Sequence, residues 1–169
     1  MAPAFFLLSL LAATAAADPP RLTIPKLDRA PDLEDFIGME GGDAPNGMAR
    51  VEGFVQRLPN DGQPVSERTV VYIGYDADYV YVLFECFDRE PQRIGAHLVG
   101  RDLLPNDDDT VSVHLDTFRD LKHAYGFQMN AAGVQTDGTY TEGSGWDLSW
   151  DAVWRSDARR TTRGTAARP

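Results

Sequence analysis

A single cysteine, Cys86, is all the thiol chemistry in this 169-residue chain. One cysteine builds no disulfide framework and offers no zinc-type ligand spacing. It sits in the apolar run Val80 to Phe87, where a small buried hydrophobe is the expected role, and no neighbouring cation marks it as a reactive thiol. Positive charge is also scarce: 16 Lys and Arg face 26 Asp and Glu, for a net charge of −10 and a pI of about 4.6. That balance excludes the whole chain as a nucleic-acid binder by electrostatics. It suits calcium, neutral polar ligands such as sugars, or solubility alone. His97, His114 and His123 fall in no HExxH or triad pattern, no EF-hand spacing occurs, and there is no internal repeat. His114 alternates onto a polar face and His123 follows a turn, so exposed or locally bonded imidazoles are expected.

Hydrophobic residues make up 43% of the chain and aromatics 10%, enough for one domain with a real core and too many for a disordered class. The N-terminus is a different material. Ala4 to Ala17 is an uncharged apolar run ending in an A-x-A pattern before Asp18, which predicts a signal peptide over residues 1–17. Export to the periplasm, or association with an outer membrane, follows. The run is shorter than the ~20 residues of a spanning helix, no Lys or Arg precedes it, and Asp18-Pro19-Pro20 ends any helix. A buried N-terminal helix is the alternative.

Almost no helical periodicity follows; one helical turn at Asp32 to Phe36 is the exception. Thr69 to Tyr75 and Tyr79 to Phe87 read as a hairpin around the turn Asp76-Ala77-Asp78, rich in β-branched and aromatic residues. The second strand is apolar on nearly both faces until Glu85, which predicts a central place between two layers. Val51 to Gln56 and Ile94 to Val99 read as short strands. Thr110 to Asp116 alternates, with Val111, Val113 and Leu115 on one face and Ser112 and His114 on the other. Tyr125 to Asn130 and Gly133 to Tyr140 complete the set. Short strands separated by Asp, Asn and Gly turns predict an all-β fold, an antiparallel β-sandwich or jelly roll.

From Arg155 the composition flips. RSDARRTTRGTAARP carries five Arg and one Asp, +4 against −14 for the preceding 154 residues. With no apolar residue larger than Ala, it is expected not to pack as a core strand. A basic tail and an aberrant or truncated end both fit residues 155–169, and the sandwich is expected to lack its closing strand or strands. The exposed edge predicts poor solubility.

Five ordered segments carry a family resemblance: FVQRLPNDGQPVSERT (Phe54–Thr69), the hairpin from Tyr75 to Ile94, RDLLPNDDDTVSVHLDTF (Arg101–Phe118), FQMNAAGVQTDG (Phe127–Gly138) and WDAVW (Trp150–Trp154). In their order and separation, residues 18–154 resemble carbohydrate-binding module family 9. That family is a calcium-associated β-sandwich found beside xylanases, and the likeness is to an exported variant preceding an outer-membrane β-barrel-like domain. The resemblance implies sugar binding through aromatic stacking and flanking polar groups. It places one clamp aromatic near Asn106 and the polar contacts at Ser112, Gln128 and Asn130. Asn130 is kept, whereas Ser112 and Gln128 stand where a carboxylate and an Arg are usual. Trp146, in Gly-Ser-Gly-Trp, reads as a substitute stacking platform or, with Trp150 and Trp154, as a core or interface aromatic.

Asp107, Asp108 and Asp109 could give one or two ligands to a structural calcium, joined by Asp102, Asp137, Asp147 and Asp151 if the loops converge; solvated acidic turns are the alternative. No carboxylate pair is singled out for glycoside hydrolysis, so no enzyme is expected. The expected function is non-catalytic binding of xylan- or cellulose-type polysaccharide fragments. The alternatives are an accessory domain of a downstream outer-membrane barrel with a degenerate sugar site, and an accessory fragment of a glycoside hydrolase.

Overall fold

The computed structural model describes residues 21–168, so the expected signal peptide lies outside the described residues. Nine strands form: β1 (Ala49–Val51), β2 (Thr69–Tyr75), β3 (Val80–Phe87), β4 (Thr110–Leu115), β5 (His123–Asn130), β6 (Gln135–Thr141), β7 (Gly145–Asp147), β8 (Asp157–Thr161) and β9 (Gly164–Arg168). They make two antiparallel sheets packed face to face, a five-stranded one in the order β1-β2-β3-β9-β8 and a four-stranded meander β4-β5-β6-β7. The helical turn expected near Asp32 is a 3-10 turn, Leu33–Phe36, capped by Asp32.

The β2–β3 hairpin forms where alternation and turn chemistry predict it. The Asp76 carboxylate accepts from the backbone N–H of Asp78 at 2.8 Å and Tyr79 at 2.9 Å, and from the Tyr81 hydroxyl at 2.6 Å. As expected from its two apolar faces, β3 is the middle strand of its sheet. Leu83 points to a cluster with Leu27, Leu33, Phe36, Met48, Val70 and Tyr72. Phe84 points the other way, to Val71, Met129 and Ala167 between the sheets. The N-terminal segment therefore covers one face of the larger sheet and the meander covers the other. On the first face Glu85 is buried, and its Oε2 accepts from the Tyr72 hydroxyl at 2.9 Å. Burial, with this bond to Glu85, pushes the Tyr72 phenol up to about 12.

The end of the chain corrects the expectation from composition. Residues 157–168 are strands β8 and β9, and β9 pairs with β3 through Phe84↔Ala167, Glu85↔Ala166, Cys86↔Thr165 and Phe87↔Gly164. Ala166 and Ala167 are core residues. Bulk is not needed because the neighbours supply it. Where β9 meets β3 it has to be slim: a Cβ on Gly164, whose φ is 140°, would lie 1.9 Å from the Cys86 carbonyl oxygen. The arginines point outward and satisfy loop carbonyls, with Arg160 donating to Pro91 O, Arg163 to Gly38 O and Arg168 to Pro31 O. β9 thus occupies the edge of β3 that β2 leaves open.

Three smaller expectations also change. Ile94 to Val99 is not a strand; Val51 to Gln56 shrinks to the end of β1 and an isolated bridge, Val55↔Pro64; and Gly145–Asp147, outside the strands read from the sequence, adds to β6 as β7. The core role of β9 gives a direct test. Ala166→Asp puts an unpaired carboxylate where the residue is fully buried, and is expected to cost at least about 3 kcal/mol. A thermal melt by circular dichroism reads this; an unchanged midpoint would mean that β9 is not part of the core.

Candidate functional site

Side-chain alternation sorts the meander into two faces. Val111, Val113 and Met129 turn inward. Ser112, Gln128 and Thr136 form a row across β4, β5 and β6 on the outer face, followed by the row His114, Gly126 and Gly138. A groove of about 430 Å³ runs over these rows and collects Asn106, Ser112, Gln128 and Trp146. Four of the five residues expected to touch a ligand therefore meet on one surface.

Two glycines let the neighbouring groups come close to the sheet. Gly126 and Gly138 are cross-strand partners. A Cβ at 126 would meet the Trp146 ring at 2.5 Å, and one at 138 would meet the Asp147 carbonyl oxygen at 2.7 Å. The indole of Trp146 thus lies close over the sheet, its centroid 5.0 Å from His114 and 5.3 Å from Tyr140, and it remains 46% exposed. Trp150 and Trp154 go to the opposite side: Trp150 packs on Tyr125 and Phe127, and Trp154 on Phe127. Of the three tryptophans, Trp146 is the half-exposed one at the groove and Trp154 belongs to the core.

The polar groups around the groove are partly uncommitted. Gln128 Nε2 donates to Thr110 Oγ1 at 2.8 Å, leaving its Oε1 without a partner among the described residues. Thr136 is buried, and its hydroxyl has no hydrogen bond there either. Burial pushes the His114 imidazole below its ordinary value, so it is neutral at neutral pH and able both to donate and to accept. His114 and Thr136 were not singled out from the sequence as contacts. The alternation that pairs His114 with Ser112 was the available signal; the position of Thr136 follows only from the register.

Asn130 is corrected. It is buried, and its amide is fully used inside the protein. Nδ2 donates to His97 O at 2.8 Å and Asp108 Oδ2 at 2.7 Å, while Oδ1 accepts from Ala132 N at 3.0 Å and Val134 N at 2.9 Å. It positions loops and has no valence left for a sugar hydroxyl.

The acidic residues do not fit a calcium cage either. Asp109 Oδ2 accepts from Gly95 N at 2.7 Å, and Asp108 accepts from His97 N at 3.1 Å and lies 2.6 Å from His97 Nδ1. His97, Asp107 and Asp108 can bring one ligand atom each within 4.8 Å, far short of the roughly 6–8 oxygens a hard cation takes. Asp102, Asp137 and Asp151 do converge, but on Arg101: its guanidinium pairs with Asp137 and lies 3.6 Å from both Asp102 and Asp151. Asp147 caps the Ser149 N–H at 2.9 Å. The countercharge in this cluster is an arginine.

No known protein family, curated protein or solved structure matches the chain.

The His97–Asp108 pair makes stability depend on pH. The hydrogen bond and charge of Asp108 raise the His97 imidazole above its ordinary 6.5. Desolvation pushes the Asp108 carboxyl up, but the hydrogen bonds from Asn130 and His97 outweigh it and hold the group below 3.8. The histidine contribution is full below pH 6.5 and is lost as pH rises through its higher folded value. The carboxylate contribution is present above 3.8 and is lost as pH falls through its lower folded value. Melting temperature is expected to decline above pH 6.5, and His97→Gln to remove that decline. A variant that keeps the wild-type slope would show that another group titrates there.

Proposed function

We propose that the chain is a non-catalytic carbohydrate-binding domain that takes a short stretch of a neutral polysaccharide in the groove on the outer face of the meander. The observation that carries this is the convergence of a half-exposed indole, Trp146, seated against the sheet at Gly126, with Ser112, Gln128 and Asn106 along one groove. A pyranose has one apolar face of C–H groups and a rim of hydroxyls, and needs a flat aromatic beside unspent donors and acceptors. The unbonded Thr136 hydroxyl, the free Gln128 carbonyl and the neutral His114 are of that kind. The groove carboxylates Asp102 and Asp137 are tied up: Asp137 holds Arg101 and the Ala152 N–H, and Asp102 accepts from the Asp137 N–H at 3.2 Å. Neither is set to act as an acid or base across a glycosidic bond, which supports binding without turnover. The xylan- and cellulose-type chains that the sequence resemblance implies are the candidate ligands of this reading.

One observation favours the second reading, an accessory domain with a decayed sugar site: the Asn130 amide is spent on structure. Calorimetric titration with xylo- and cello-oligosaccharides separates the two. Binding in the millimolar range or tighter is expected, with Trp146→Ala weakening it by about tenfold or more. No heat from any of these sugars at millimolar concentration overturns the binding role.

A further inference from the structure

A second cavity, of about 380 Å³, lies between the two sheets at one end of the sandwich, within the range of about 300–1,000 Å³ that small-molecule sites occupy. It is separate from the groove, which lies on the outer face of the meander. The slim strand β9 opens it. Cys86 and Thr165 are cross-strand partners facing the meander, Ala167 follows, and Val111 and Met129 stand opposite, so a floor of small and apolar groups sits at the end of a close-packed core.

Two independent features point to a ligand. Thr165 is only 5% exposed, and its hydroxyl has no hydrogen bond among the described residues. Buried hydroxyls are rarely left so, because water offers them bonds that folding must replace. The other feature is the rim, where Glu67, Asp88 and Asp109 are the charged residues of the lining and no Lys, Arg or His joins them. Glu67 Oε1 is taken by Arg89 Nε at 2.6 Å and Asp88 Oδ1 by the Glu90 N–H at 2.6 Å. Asp109 uses Oδ2 for the Gly95 N–H and has Oδ1 unbonded among the described residues. Its charge reaches inside: burial first, and then Asp109 against an opposing bond from Thr69, pushes the Cys86 thiol up to about 11. The thiol is protonated and neutral at neutral pH, part of the floor and not a nucleophile.

An anion would meet three carboxylates on a chain of net charge −10, and a purely apolar guest would leave the buried Thr165 hydroxyl unsatisfied; Asp109 itself is exposed at the rim. We infer that this cleft is a second binding site, for a small organic ammonium ion whose apolar part lies on Cys86, Val111 and Met129 and whose head group donates to Thr165 Oγ1 and to the Asp109 carboxylate. The site is independent of the sugar groove.

The test uses the full chain, with butylammonium chloride as the probe and n-butanol and butyrate as its neutral and anionic counterparts, read by calorimetry and by amide-resolved NMR. Butylammonium is expected to shift the Cys86, Thr165 and Asp109 amides saturably and to bind at least about tenfold more tightly than n-butanol; butyrate is expected not to bind. Asp109→Asn can still accept from Gly95 N, so the loop keeps its anchor, and the preference for the cation should vanish. Trp146→Ala should leave this binding unchanged, which separates the result from the fate of the sugar groove. Equal binding of the cation and the alcohol, no saturable shift at these amides, or a preference that survives Asp109→Asn would each overturn the inference.

Discussion

The side-chain amide of Asn130 is the tie on which the arrangement of both cavities depends. A primary amide offers two donors and two strong acceptor sites, and here all four are used: two backbone N–H groups of the β5–β6 turn, the His97 carbonyl and the Asp108 carboxylate. Asp108 in turn holds His97. The long stretch between β3 and β4, which has no strand of its own, is thereby fastened to the end of β5. That fixes where its residues go: Asn106 at the groove, Asp109 at the cleft. An aspartate in place of Asn130 would turn two donors into acceptors against a carbonyl and a carboxylate, so no near-isostere can substitute.

The second constraint is that the five-stranded sheet has to be covered on both faces. β2 and β3 carry apolar residues both ways, and the N-terminal segment and the meander supply the two covers. A strand joining such a sheet beside β3 can be filled from outside, so it needs backbone hydrogen bonds more than side-chain mass. Gly164, Thr165, Ala166 and Ala167 meet that need. Small residues leave space, however, and at the open end of the sandwich that space is the cleft. The composition that allows β9 to close the sheet thus also hollows the core beside it.

The regular part of this fold was legible in the chain because period-two alternation maps straight onto a pleated sheet. Val111, Val113 and Leu115 against Ser112 and His114 could be sorted without coordinates, and TVVYIGY became β2 residue for residue. β9 was not legible, since an Ala- and Arg-rich run has no apolar alternation of its own; its place is decided by a partner strand some eighty residues earlier. The acidic residues misled for a related reason. Spacing shows that Asp102, Asp137 and Asp151 can converge, but not that Arg101 stands at the point of convergence. Asn130 carries the same lesson: residue type and strand position fit a ligand contact, and only the hydrogen-bond census shows the amide already full.

The paired glycines bear on the groove. Glycine inside a strand loses a side chain's packing and costs backbone entropy, so two of them side by side on neighbouring central strands weaken the meander with nothing gained locally. At Gly126 the space is taken by the Trp146 ring, and at Gly138 by the crossing backbone of Asp147. Both approaches lower the indole toward the sheet instead of leaving it standing from a loop. An aromatic seated this way is held between His114 and Tyr140 with little rotamer freedom to lose on binding, while nearly half its surface stays open. A core tryptophan would gain nothing from that exposure, and a solvent-facing one would not need the two glycines. The combination is what a rigid stacking platform requires, because pre-ordering the ring removes a cost that the ligand would otherwise bear.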